Sequence, residues 1–403
     1  MAYDVAGVRG LYTSLSDGWT YLNAHDAAQI PERVSSAVAR SFRMSSAVAQ
    51  TEPMYGSHMR LSVGRPEGDA FLLDARAAIA DLTGVTQDRV LLGPSVPALY
   101  MELVAAMRHQ FRYNSSVVLS NLDRPQLNQI LCRADAEFRW AQVDPATGEL
   151  SAAQFAELVD GSTRLVSLPA AHAQLGVVVP VRSIVEAVRE RSRAWVVVDA
   201  SAYAPYRLLS FDEWGADVIA VDMAELGGPQ VAALVFRDEA MLQRLDTNML
   251  DFPVSSGLAG GVSATVEHYG SLASSGEGRM SRRNRLVHSM SEMSDYLEYL
   301  REDLYTFLGT LPMVKVFGAD PTPAGQIRVD RIPRMTFGLR GVPAALAHQR
   351  LIDSGLVVTQ TTPCELLEEM GAAETGGALT VSLSPFNTQA DVLLLTRTVA
   401  SLT

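Results

Sequence analysis

Among 403 residues this chain has a single lysine. Of its 33 lysine and arginine side chains, all but Lys315 are arginine. A G+C-rich coding sequence produces such a bias, but the bias also has a chemical consequence. A primary amine side chain exists at one position only, so chemistry that needs one must use Lys315. Cysteine is nearly as scarce: Cys132 and Cys364 can form at most one disulfide, and neither belongs to a CxxC pair. That usage fits a reducing cytoplasm, the location expected for the protein. No apolar run nears the roughly 20 residues that cross a bilayer. Residues 1–19 lack the basic-then-apolar pattern of an export signal. The formal net charge of −12 argues against nucleic-acid and anionic-membrane partners, which call for clustered cations.

Low-complexity tracts and repeats are also missing. What is present is a chain with 48% hydrophobic residues, enough for two domains or one large domain with a lobe. From about residue 70 to 240, helical spacing alternates with short continuous apolar runs. Helices are expected over 71–82, from Pro125, and over 151–159, where Ser151 and Gln154 form a capping box; another begins at Ser183, capped with Glu186. Strands are expected over 89–92, 117–120, 138–143, 164–168, 195–198, 218–221 and 231–236. Strands that are apolar throughout and separated by helices imply a mainly parallel sheet covered on both faces. The later sequence differs. A long helix over 282–308 precedes strands near 314–317, 335–339, 356–359 and 379–383, with helices after Pro343 and from Thr388. The expected organisation is an N-terminal segment, 1–25, packed beside a small α+β domain, 281–403, with a large α/β domain over 26–280.

The segment Val198-Asp199-Ala200-Ser201, then Pro205, Gly215-Ala216-Asp217 and Gly227-Gly228-Pro229, resembles the class V aminotransferase / cysteine desulfurase family. The match extends from Tyr21-Leu22-Asn23 and Pro31 to Asn387-Thr388. The resemblance implies a pyridoxal-phosphate (PLP) transferase-like fold of type I, with a seven-stranded sheet, and a homodimer whose sites draw on both subunits. It also implies that Asp199 occupies the position that holds the PLP ring nitrogen protonated, which makes the ring an electron sink.

The same comparison removes the chemistry. Where the family has Ser-x-His-Lys, this chain has Asp222, Ala224 and Glu225 before Gly228-Pro229. A carboxylate forms no imine with an aldehyde, and it serves as a base only if its pKa rises well above about 4.3. Arg124 stands where a histidine stacks on the ring. The phosphate loop reads Gly93-Pro94-Ser95-Val96-Pro97, which leaves Ser95 as its only hydroxyl and removes two N–H donors. Ala173, Ala202, Thr380 and Pro253 replace other contacts to cofactor, substrate carboxylate and partner-subunit phosphate site. Cys364 falls where desulfurases carry a sulfur-accepting cysteine, with no PLP chemistry to supply the sulfur.

The vestigial cofactor positions are therefore Asp199, Ser95, Arg124, Asp222 and Ser201, with no catalytic lysine and no covalent cofactor expected. Lining the old pocket would be His25, Asp26, Arg124, His172, Asp199, Asp222 and Glu225. Such a set could suit a divalent metal or a general base, although no HxxxH or CxxC spacing supports a metal and none is expected. The plainer expectation pairs Glu225 with Arg124 or another arginine. Arg279, Arg282, Arg283 and Arg285 read as a solvated helix start, and Met290 and Met293 as core. The expected function is a non-catalytic pseudoenzyme that binds or regulates, its partner a protein or a small-molecule ligand. The alternative is an enzyme that reuses the cleft for a non-covalent ligand or metal.

Overall fold

The apolar runs pair into one central sheet. The computed structural model describes residues 3–48, 66–245, 253–274, 280–318 and 329–402; Arg279 lies outside them. Its first eight strands are β1 (Thr20–Tyr21), β2 (Val90–Gly93), β3 (Ser116–Ser120), β4 (Glu137–Ala141), β5 (Thr163–Pro169), β6 (Trp195–Asp199), β7 (Val218–Asp222) and β8 (Ala232–Phe236). Then follow β9 (Val314–Val316), β10 (Arg334–Leu339), β11 (Leu356–Val357), β12 (Thr359–Gln360) and β13 (Leu379–Ser382). Strands β2 to β8 form a seven-stranded sheet in the order β2-β8-β7-β6-β5-β3-β4. Every pairing is parallel except those of β8, which runs against both β2 and β7.

Strands β3, β6 and β8 are buried at every position. Alternate side chains enter opposite cores: Val118, Val166 and Val196 join one cluster, and Val117, Leu165 and Val197 the other. Two covered faces leave no polar side, so the sequence of these strands shows no alternation.

A second, antiparallel sheet has the order β12-β13-β10-β9. The strand expected over 356–359 divides in two. β11 pairs in parallel with β1, tying the N-terminal segment to this region, while β12 joins β13. The long helix is Arg282–Gly309, with Met290 and Met293 buried. Among the described residues, no helix is long and apolar enough to cross a membrane.

Two expectations need correction. The helix Val181–Arg191 starts before Ser183, with Pro180 at its N-cap and no side-chain cap. Proline's fixed φ suits that entry. Glu186 bonds Arg182 one turn away instead (3.1 Å). Nor is the arginine cluster merely solvated. Arg282 and Arg285 both pair with Glu267, and Arg283 donates to the carbonyls of Asp81, Leu82 and Leu209, fixing the helix start to its neighbours.

The helices Glu32–Met44 and Ser256–Tyr269 approach closely because glycine faces the contact. A Cβ at Gly260 would stand 2.2 Å from Ser41 Cβ, and Ser41 Oγ donates to the Gly257 carbonyl at 2.6 Å. Gly260→Ala is expected to cost about 1–3 kcal/mol in urea unfolding, as overpacked sites do. Gly161→Ala, which meets open space, is the control and leaves the midpoint in place. Equal stability of the two variants would disprove the contact.

Candidate functional site

Strands β3, β4, β5 and β6 run in one direction, so their carboxyl ends meet at one edge, where ligands of open α/β sheets bind. The segments leaving those ends, together with residues 362–369, enclose a cleft of about 790 Å³. Asp199 ends β6 with 3% of its surface exposed. Arg124, at the N-cap of helix Pro125–Leu131, reaches it with both forks: Nε to Oδ2 at 2.8 Å and Nη2 to Oδ1 at 3.3 Å. Ser201 donates to Oδ1 through Oγ at 2.6 Å and through its backbone N–H at 3.1 Å. The Asp199 charge raises the Arg124 pKa further, opposed by burial and reinforced by Glu225 and Asp222. Arg124 therefore serves as counter-ion to Asp199 rather than as a stacking surface.

Glu225 lies in the short 3-10 turn Met223–Leu226 that follows β7. It does not pair with Arg124. Its partner is Arg334 on β10, whose Nη2 donates to Oε2 at 3.0 Å. Arg334 is 1% exposed; it also donates to the Ala173 carbonyl at 2.8 Å and lies over the Tyr206 ring, 5.3 Å from its centroid. Sequence reasoning missed it, although a signal existed. An arginine contiguous with the apolar run Met335-Thr336-Phe337-Gly338-Leu339 enters a buried strand and needs an acid there.

The remaining candidates are committed locally. Asp222 Oδ1 accepts from Ala224 N–H at 3.0 Å, and burial, with Glu225 beside it, raises its pKa. Ser95 caps helix Val96–Ala106 by accepting from Ala98 N–H at 3.3 Å. His25 shares a 2.9 Å bond with Ser382 Oγ, and burial, then Arg334, lowers its pKa to about 3. Burial and Arg334 likewise bring His172 to about 4; its Nδ1 accepts from Leu175 N–H at 3.0 Å. Asp26 is exposed and does not intrude. The cleft thus gathers Arg124, Asp199, His172 and the half-buried Cys364, while Ser201 supports Asp199 from behind. Ser95, Asp222 and Glu225 do not line it. Lys315 is elsewhere, on β9, 2.9 Å from Glu374.

Asp123 is a second omission. It is 3% exposed, and burial, then Asp199, pushes its pKa well up. The neighbouring Ser167 hydroxyl and Arg124 act the other way and do not prevail. No oxygen of Asp123 has a hydrogen bond of acceptable geometry, nor has Tyr100 Oη or Ser167 Oγ. No group of three or more His, Cys, Asp or Glu side chains among the described residues is placed to hold a metal.

Comparison with known proteins fits this geometry. The family model "Aminotransferase class-V" matches residues 20–395. An uncharacterised Mycobacterium tuberculosis protein, MT3887, is 37% identical over 423 residues, spanning 100% of both chains. The aminotransferase-like protein FGM3 of Gibberella zeae is 26% identical over 182 residues, 44% of this chain and 45% of that one. Among solved structures, the Escherichia coli cysteine desulfurase CsdA superposes with a TM-score of 0.78 at 15% identity, covering 100% of this chain and 98% of that one. The cysteine desulfurase of Thermococcus onnurineus NA1 gives 0.79 at 15% identity, covering 100% and 99%. At such identity the two structures establish the fold, the α/β type of PLP-dependent enzymes.

Arg334→Met leaves the Glu225 carboxylate half-buried without its partner and is expected to cost about 3–5 kcal/mol in urea unfolding. The double variant Arg334→Met/Glu225→Met should recover most of that loss; no recovery would mean the two side chains do not interact. Acid sensitivity follows from His25 and His172. Both have folded pKa values below the usual 6.5, so the unfolded chain binds protons first and stability falls as pH drops from about 6.5 toward 4 and then 3. His172→Gln should flatten the stability profile between pH 6.5 and about 4. An unchanged slope would contradict a neutral buried imidazole.

Proposed function

We propose that this chain, which belongs to the aminotransferase class-V family, is a non-catalytic member whose cleft binds a ligand or modulates a partner. The observation that carries this reading is the state of Glu225. Where the family resemblance calls for the imine-forming lysine, a carboxylate is held by a buried arginine, and the one lysine of the sequence sits on β9. PLP supplies an electron sink to its enzymes when it is bound. The residues present do not fit it. The Asp199 carboxylate that would meet the ring nitrogen already accepts three hydrogen bonds, one from Arg124 and two from Ser201, and its other oxygen lies 2.8 Å from Arg124 Nε. At the helix start that would cradle the phosphate, Ser95 is spent on Ala98, and Pro97 has no N–H to offer. On this reading Asp199, Ser95, Arg124, Asp222 and Ser201 are vestiges of a cofactor site, and the protein works as a cytoplasmic homodimer.

A second reading rests on Asp123. A carboxyl whose pKa is raised beside the cleft has the property of a general acid or base, so the cleft could host new chemistry on a non-covalent ligand. On this reading the Asp123 carboxyl exchanges a proton with the bound molecule, with Arg124 nearby on the cleft floor.

The test is optical. Purified protein mixed with equimolar PLP should show no visible imine band, and borohydride should leave no stoichiometric pyridoxyl mass on the chain. Glu225→Lys should not restore the band, because it places a second cation against Arg334 and leaves Asp199 occupied. A stoichiometric band in the wild type that borohydride fixes would sink the proposal.

A further inference from the structure

We infer that the cleft takes a small organic cation with an apolar or aromatic body, an amine or amidine in chemical class; the inference rests on reading the cleft as a non-covalent binding site. Its volume of about 790 Å³ is that of a small-molecule pocket. The charge left over is negative. Arg124 on the floor is matched by Asp199, whereas Glu365 and Glu369, one turn apart on helix Glu365–Glu369, both line the cleft, are exposed, and form no ion pair among the described residues. The edge strand β4 brings in Trp140, 38% exposed, and an indole face is the best aromatic surface for a cation.

Deeper in the wall, what lacks a partner is an acceptor. Asn128 is 8% exposed, and its Nδ2 donates to the Ser120 carbonyl at 2.9 Å, which fixes the amide so that Oδ1 faces away unpartnered. An N–H-bearing cation supplies the donor that the Asn128 amide oxygen lacks. A carboxylate or phosphate would find its one cation already matched and two glutamates at the rim. The apolar body has Pro125, Pro169, Pro363 and Leu366 to pack against.

Benzylamine, cationic at neutral pH, and benzoate present the same ring with opposite charge. Titration calorimetry and thermal melting of the full chain should show benzylamine binding and raising Tm, with benzoate doing neither. The double variant Glu365→Gln/Glu369→Gln changes exposed, unpaired side chains and should weaken benzylamine about tenfold, as should Trp140→Ala. Added salt should weaken it in the wild type and far less in the double variant. Benzoate binding as tightly, benzylamine failing at millimolar concentration, or indifference to the two glutamates would each overturn the cation assignment. These outcomes are separate from the PLP test: an imine would sink the binding-protein reading, whereas amine failure without an imine sinks only the ligand class.

Discussion

The two-pronged contact between Arg124 and Asp199 neutralises the floor of the cleft and constrains every acid around it. Four carboxyl groups lie in the cleft or behind it, Asp123 and Asp199 in its lining and Asp222 and Glu225 outside it, and two arginines serve them. Burying an unmatched charge costs several kcal/mol, so each acid must find a cation, a cap or a proton. Asp199 takes Arg124 and Glu225 takes Arg334. Asp222 spends an oxygen on the turn that follows β7, and Asp123, left without a cation, has its pKa pushed up by burial. The two neutral histidines follow from the same arrangement, since Arg334 adds to the burial that disfavours their cationic forms.

Arg334 also joins the two sheets. It leaves β10 of the smaller sheet, meets Glu225 beyond the end of β7, and bonds the Ala173 carbonyl beside the cleft. Arg331, three residues earlier, donates to the carbonyls of Leu175, Thr147 and Gly318. Guanidinium groups suit this task because one planar fork serves several acceptors and stays charged when buried. A chain with so little lysine relies on such groups at its buried ion pairs.

Much of the fold was legible from residue pattern. The β6 run Trp195–Asp199 shows why: with both faces covered, every position is apolar until the strand ends at a functional edge. Helix beginnings were less legible. Ser183 and Glu186 have the spacing of a cap, but Pro180 sets the entry of that helix and Glu186 finds Arg182. Asp199, Arg124 and Glu225 could be singled out from sequence because they fall on recognisable segments. Asp123 could not, and for Arg334 the apolar run beside it signalled burial but not the partner, because the partners lie 76 and 109 positions away in the chain, Asp199 and Glu225.

The sequence alone determined the alternation of helices and strands, the family likeness, and the single position, Lys315, that carries a primary amine side chain. Those properties are local or countable. Which arginine meets which carboxylate, which acid has its pKa raised, and which walls close the cleft were decided only by the tertiary structure. Ion pairing and desolvation depend on distances of a few ångströms between segments far apart in the chain, and spacing along the sequence carries no record of them.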